Sequence, residues 1–391
     1  MTARILVIGQ LPPPVHGSNV MTERFLAALE QSGYQTEIVE KTFSKSMAEV
    51  GRVSYRKALK VPDLYRRVAD AISRRKPDCC VYFISVGLRS LLVDCLLLAL
   101  LRKRKVPYLL YFHGKGYPAY ESLRYLPVRH LVRAALANAR GGLVLGETLK
   151  EDVNHCIPDE RLLVLPNGIP QFDDRQGALV KKDAAQVSIV FLSNLIPTKG
   201  PMRFLKMAQR VREQEPGVRF TMAGRHASDH YLAQLKQFIA REGLGGCVES
   251  PGPVYGADKD LLLRQADIMV FPTNFDKETF GVVNIEAMQW GVPVVSSPVG
   301  AIPEIIRDGV NGFIVDPEDI SALSERVLQL VRDPVLRRRM GDAGRELFAR
   351  HYSLDAYHDN VRRAMEFFLP LAGSPHPGKA RPCVPPRLPR R

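Results

Sequence analysis

The chain has 391 residues, 46% hydrophobic and 25% charged, which is enough for two α/β domains of ordinary soluble composition. Its six cysteines show neither a CxxC pair nor metal-ligand spacing, which fits buried thiols in a reducing cytosol. The net charge of +14 is uneven: residues 1–180 carry 26 Lys/Arg against 17 Asp/Glu, residues 181–371 carry 24 of each, and the last twenty add five cations and no acid.

Arg4 to Gly9 reads as a buried strand that opens at once, unlike a signal peptide. The proline-rich loop after it contains only Gly9 and Gly17, not a GxGxxG turn, which argues against a conventional NAD site. His16-Gly17 nevertheless ends that loop where backbone N–H groups can approach a phosphate. A strand at Glu37–Val39 precedes a basic stretch, 41–76, with eleven Lys/Arg and three acids, predicted to form one or two helices. An inert solvated face and a seat on an anionic membrane both fit that excess, and no nucleic-acid module is visible. Cys79–Ile84 is a strand. The apolar run Leu88–Leu101 contains Arg89 and Asp94 and falls short of the roughly 20 residues of a membrane span, so a core helix is predicted. Tyr108–Phe112 is a strand ending at His113-Gly114. A histidine at the carboxyl end of a parallel strand faces the ligand crevice of a doubly wound sheet. Further strands are expected at 143–145 and 162–165.

Residues 171–186 read as a linker, and the βα pattern restarts at Val187–Leu192. The loop Ser193 to Gly200 follows, carrying Asn194 and Lys199. A strand at Phe220–Gly224 leads to Arg225, a helix is predicted over 231–242, and the strand Val248–Gly252 runs into Pro253-Val254-Tyr255. Asp258-Lys259-Asp260 is expected to cap a helix rather than bind metal. Asp316-Pro317 marks another helix start, and helices at 319–332, 334–350 and 354–368 close the chain. From residue 370 the composition is too rich in Pro and Arg to fold.

The most informative stretch is Phe271 to Gly300. A short apolar strand, Asp267–Pro272, leads through a polar loop to a helix predicted to begin at Phe280 or Gly281 and end at Trp290. Glu278 stands just before this helix and Glu286 inside it. Free backbone N–H groups near Phe280, Gly281 and Val282 suit a diphosphate, and carboxylates suit the hydroxyls of sugar rings on either side. One glutamate per ring, with phosphates between, describes a nucleotide-sugar site.

Glu278-x7-Glu286, with Ala287-Met288, Gly291-Val292-Pro293-Val294-Val295 and Gly300-x2-Pro303-Glu304, resembles the signature of the retaining glycosyltransferases of family four. The resemblance runs from residue 4 to about 368. It implies an α/β GT-B fold, two Rossmann-like domains facing across a cleft. Its boundaries would be an acceptor-side domain at 1–172, a nucleotide-sugar domain at 187–352, a helix at 353–369 crossing back to the first domain, and a disordered tail at 370–391. It further implies transfer of a hexosyl unit from a nucleoside-diphosphate sugar to a hydroxyl of a lipid-linked or polysaccharide glycan, without metal or organic cofactor. Lys199 would neutralise the leaving diphosphate, Glu286 hold the ribose, Glu278 the transferred sugar, His113 line the acceptor side, and Gly17 and Val254 approach the donor. Asn194 departs from the arginine that many relatives carry there, and Arg225 is the alternative second cation. The partners would be a nucleotide sugar, a glycan or glycolipid and an anionic membrane surface, at the cytoplasmic face. A nucleotide-sugar epimerase and a non-catalytic nucleotide-sugar scaffold are the rival readings.

Overall fold

The computed structural model describes residues 3–12, 17–41, 59–120, 125–172 and 186–369. The chain divides into two compact units, one formed by the N-terminal part up to Asn167 together with the chain from Asp355, the other by Gly168–Leu354. The expected linker and tail lie largely outside the described residues, as does His16.

The first unit is built on a six-stranded sheet in the order β2-β1-β3-β4-β5-β6, with β1 Arg4–Gly9, β2 Gln35–Glu40, β3 Cys79–Ile84, β4 Tyr108–Phe112, β5 Gly141–Val144 and β6 Leu162–Val164. All pairings are parallel. Every residue of β3 and β4 is buried, as continuous apolar runs become when helices cover both faces of a parallel sheet. Right-handed crossovers place α1 (Gly17–Gln31), which joins β1 to β2, on one face. The helices α2 (Val61–Arg75), α3 (Leu88–Lys103) and α4 (Leu126–Ala137) run in the other direction along the sheet and therefore cover the opposite face. There α2 packs on α3 and α3 on α4.

The basic stretch behaves differently from a free amphipathic surface wherever it is described. Lys41 and Leu64 are buried, Arg66 and Arg67 pair with Asp63, and Arg74 and Arg75 pair with Glu37. Residues 42–58 of that stretch, with Val53 and Tyr55, lie outside the described residues.

The second sheet runs β12-β11-β10-β7-β8-β9 and is also parallel throughout. Its strands are β7 Ser188–Leu192, β8 Arg219–Ala223, β9 Val248–Gly252, β10 Ile268–Phe271, β11 Val294–Ser296 and β12 Gly312–Ile314. Here β7 and β10 are neighbours, with Ile189 opposite Ile268. Chain connections leave these two strands in opposite directions, which opens a crevice at their carboxyl ends.

The helix expected over 319–332 runs Ile320–Arg332, with the Asp319 carboxylate capping it by accepting from the Ala322 N–H at 2.9 Å. The helices α5 (Pro201–Gln214) and α6 (Asp229–Arg241) are followed by α7 (Gly256–Gln265), which starts before Asp258-Lys259-Asp260, so that stretch does not cap it as expected. The last helix, Leu354–Phe368, belongs from Asp355 onward to the first unit. Its Tyr357 hydroxyl lies 3.5 Å from that of Tyr111, and Phe368 occupies the space where Gly141 lacks a side chain. Among the described residues no helix is long and apolar enough to cross a membrane.

Candidate functional site

The crevice between β7 and β10 holds a cavity of about 260 Å³. The loop after β7 delivers Lys199 to it. This loop hugs the end of β10: the Asn274 N–H donates to the Thr198 carbonyl at 2.9 Å. Gly200 turns there at φ +89°, and a Cβ would stand 2.1 Å from the Pro272 carbonyl oxygen, so only glycine permits the approach. Lys199 Nζ forms an ion pair with Glu278 Oε2 and sits 4.7 Å from the centre of the Phe275 ring. Both partners are mostly buried, with side-chain exposures of 15% and 12%.

The helix after Glu278, α8, spans Val282–Gln289, one to two residues later than predicted. Gly281 is its cap, at φ +66°, and Phe280 lies outside it. The Phe280 ring is buried edge-on against Tyr352, so this residue can serve a ligand only through its backbone. Gly281, Val282 and Val283 line the cavity, where the first-turn N–H groups lack intrahelical acceptors.

Glu286 lines the same cavity and accepts from Lys259 Nζ at 2.7 Å. Burial raises the Asp260 carboxyl above its ordinary range, with Lys259 opposing and Glu286 adding to the shift. The cavity thus holds the Lys199–Glu278 pair and the Glu286 carboxylate beside a helix N-terminus, and Glu286 is paired in turn with Lys259. Such an array can exchange its ammonium groups onto an anion and its carboxylates onto hydroxyls.

Of the residues expected at the donor, Lys199, Glu278, Gly281, Val282 and Glu286 come together here. Asn194, Arg225 and Val254 are not among the lining residues, and Asn194 and Arg225 are exposed. Lys259 does not line the cavity either, but it is tied to it through the Glu286 carboxylate. Sequence reasoning passed over Lys259 because its partner is 27 residues away.

The other expected residues belong to the first unit. Gly17 begins α1 there. His113 lines a separate cavity of about 280 Å³ at the carboxyl ends of the strands, with Thr22, Lys41, Ser85 and Ser90. Its ring stacks on Phe83 at 5.4 Å and lies 4.2 Å from Tyr111, and burial pushes its pKa down to about 3. The imidazole is therefore neutral near pH 7. Lys41 closes the floor, donating to the Phe83 carbonyl at 2.7 Å, Asp94 Oδ1 at 2.9 Å and Ser85 Oγ at 3.1 Å. Asp94 also accepts from the Tyr82 hydroxyl and the Ser85 N–H, each at 2.7 Å. With three acceptors on its ammonium, Lys41 is committed to this network. A carboxylate in the middle of an apolar helix was the available signal, since a buried charge requires a partner. Among the described residues no three His, Cys, Asp or Glu side chains gather as metal ligands.

Two family models account for most of the chain. Glycosyltransferase Family 4 matches residues 15–171 and Glycosyl transferases group 1 matches residues 174–347. The chain belongs to this glycosyltransferase family. It is 29% identical over 181 residues to a GDP-mannose-dependent alpha-(1-6)-phosphatidylinositol monomannoside mannosyltransferase of Mycolicibacterium smegmatis, covering 45% of each chain. It is 33% identical over 173 residues to the phosphatidyl-myo-inositol mannosyltransferase of Mycobacterium leprae, covering 44% of this chain and 43% of that one. The chain spans about half the length of the curated relatives it matches. The fold is GT-B, by likeness to solved glycosyltransferase structures. Anabaena Alr3699/HepE in complex with UDP superposes with a TM-score of 0.71 at 17% identity, covering 93% of this chain and 99% of that one. A glycosyltransferase of Rickettsia africae gives 0.73 at 16%, covering 93% and 98%.

Proposed function

We propose that this family member is a retaining glycosyltransferase, moving a hexosyl unit from a nucleoside-diphosphate sugar to a hydroxyl of a glycan or glycolipid acceptor. The observation that carries the reading is the convergence of Lys199, Glu278, Glu286 and the start of α8 on one cavity at the crevice of the second sheet. In this reading the diphosphate lies against the Val282 and Val283 N–H groups and draws Lys199 away from Glu278. Glu286 accepts from the ribose hydroxyls and Glu278 from those of the transferred sugar.

In the transfer step the bond between the sugar's anomeric carbon and the diphosphate oxygen breaks, and the acceptor oxygen bonds to that carbon on the same face. The acceptor's proton passes to the departing phosphate oxygen. Charge grows on the diphosphate as it leaves, and Lys199 with the helix terminus opposes that charge most strongly in the transition state. Neutral His113, in the cavity of the first unit, is assigned to an acceptor hydroxyl, as donor or acceptor of one hydrogen bond. No residue is assigned as covalent nucleophile, and no metal is assigned a step.

The family match and the names of the relatives support a nucleotide-sugar donor, and the phosphatidylinositol in those names supports a lipid-borne acceptor, which we place at the cytoplasmic face of a membrane. The test is a panel of UDP-, GDP- and ADP-sugars screened by thermal shift, followed by donor turnover with and without acceptor. A donor at a hundred times its dissociation constant adds about 2.7 kcal/mol to the native state. A donor changed without any acceptor would favour an epimerase, and binding without turnover or slow hydrolysis would favour a scaffold.

A further inference from the structure

The helix α3, Leu88–Lys103, is apolar on both of its faces. Its inner face carries Leu91, Cys95, Leu98 and Leu101 in the core of the first unit. Its outer face carries Leu88 at 37% exposure and Leu96 at 45%, with Ala99 also exposed and Leu92 half-buried between them. A helix that only covers a sheet normally presents polar residues outward. Its neighbour α4 continues the pattern: Leu126 is 53% exposed, Leu131 42%, and Tyr125, just before it, 67%. Single exposed leucines need no explanation, but a run of them over two packed helices does.

The exposed charges of these two helices have one sign. The only acidic residue of α3 is Asp94, which is buried on Lys41, and α4 has none. Arg89, Lys103 and Arg133 are exposed and Arg129 is half-buried. Among the described residues no ion pair engages any of the four. The neighbouring α2 differs, because its arginines are held by Asp63 and Glu37. Leucines and an aromatic ring surrounded by uncompensated cations match a surface that offers acyl chains beneath anionic headgroups. A second protein chain would more commonly bring carboxylates on both sides of such a contact.

We propose that the outer face of α3 and α4 is a docking surface for an anionic lipid bilayer, touched by Leu88, Leu96, Leu126 and Leu131 and oriented by Arg89, Lys103 and Arg133. The surface lies beside the basic helix α2 rather than on it. This deepens the proposed function, since it names the face through which a lipid-borne acceptor would be reached, but its test uses no transfer activity.

The full chain is sedimented with vesicles of phosphatidylcholine alone and with vesicles containing phosphatidylglycerol, at low and high salt. Binding is expected only with the anionic lipid and is expected to weaken, without vanishing, at high salt, because its apolar part is not screened. Leu96→Gln with Leu131→Gln lowers partitioning about thirtyfold. Arg89→Gln with Arg133→Gln lowers it by a similar factor, at about fivefold per cation, and removes most of the salt dependence. Unchanged melting temperature and nucleotide affinity in each double variant show that the fold and the second unit are intact. Failure of the wild type to bind anionic vesicles, or binding that either double variant retains in full, overturns the proposal. So does a wild-type dimer that the leucine variant converts to monomer with no lipid binding, since the face would then join two copies.

Discussion

Replacing Lys199 with methionine removes an ammonium from a carboxylate that is mostly buried at the edge of the cavity. Glu278 keeps 12% of its side-chain exposure and has Lys199 as its ion-pair partner. Breaking a fully buried pair on one side costs roughly 3–5 kcal/mol, because the remaining charge is left without compensation. The residual exposure of both groups brings the expected cost to about 2–3 kcal/mol. At about 2–4 °C per kcal/mol for a domain of this size, the melting transition falls by about 4–12 °C. Glu278→Gln leaves the ammonium similarly stranded and destabilises by a comparable amount. The double variant Lys199→Met/Glu278→Gln removes both charges and recovers to within about 1 kcal/mol of wild type. Transfer, on the proposed mechanism, is lost in all three. Thermal melts of the four proteins, each with and without nucleoside diphosphate, complete the cycle. If the single variants melt with the wild type, or if the double variant falls by the sum of the singles, the two groups are not coupled.

Glu286→Ala is expected to weaken the bare nucleoside diphosphate in calorimetry, whereas Glu278→Ala spares it and abolishes transfer; equal loss in both would end the one-glutamate-per-ring assignment. Lys199→Ala lowers turnover about 10²–10³-fold and leaves acceptor KM within about twofold, and a turnover within about twofold of wild type would move the diphosphate contact to Lys259. Gly281→Ala strains the αL cap at φ +66° and brings a Cβ to 2.7 Å from Asn284 Nδ2, costing about 1–2 kcal/mol and weakening diphosphate binding; an unchanged melting curve would contradict this. His113 is neutral in the native state down to about pH 3 but protonates near 6.5 when unfolded, so its contribution to stability is present above pH 6.5 and is lost as pH falls toward 3. Urea titrations should show a shallower loss of stability over that window in His113→Gln, and parallel curves for the two proteins would refute the burial assignment.

What could be read from the chain was whatever local pattern decides. Continuous apolar runs need no tertiary knowledge, and the Cys79–Ile84 and Tyr108–Phe112 strands stand where the runs put them. Lys199 and Glu278 were legible because each sits in a loop beyond a parallel strand, where chain geometry faces a side chain to the crevice, and Glu286 because it stands one turn into the helix that follows. The start of α8 was misplaced because Phe280 is drawn into the core against Tyr352 and Gly281 must turn at positive φ, neither of which periodicity reports. Lys259 was taken for part of a helix start, since its meeting with Glu286 depends on how α7 and α8 are brought together. The basic stretch was only partly legible for a related reason: a charge count cannot tell Arg74 and Arg75, held by Glu37, from Arg89 and Arg133, which no carboxylate among the described residues holds.

The central claim is most directly tested by the stereochemistry of the product. The protein is incubated with the nucleotide sugar that gives the largest thermal shift and with a hydroxyl acceptor, and the anomeric proton of the new glycoside is followed by NMR from the first minutes. The proposed function predicts release of one nucleoside diphosphate per glycoside formed and the same anomeric configuration in product as in donor, with both lost in Glu278→Ala. An inverted product, or a glycoside formed equally well by Glu278→Ala, would contradict it.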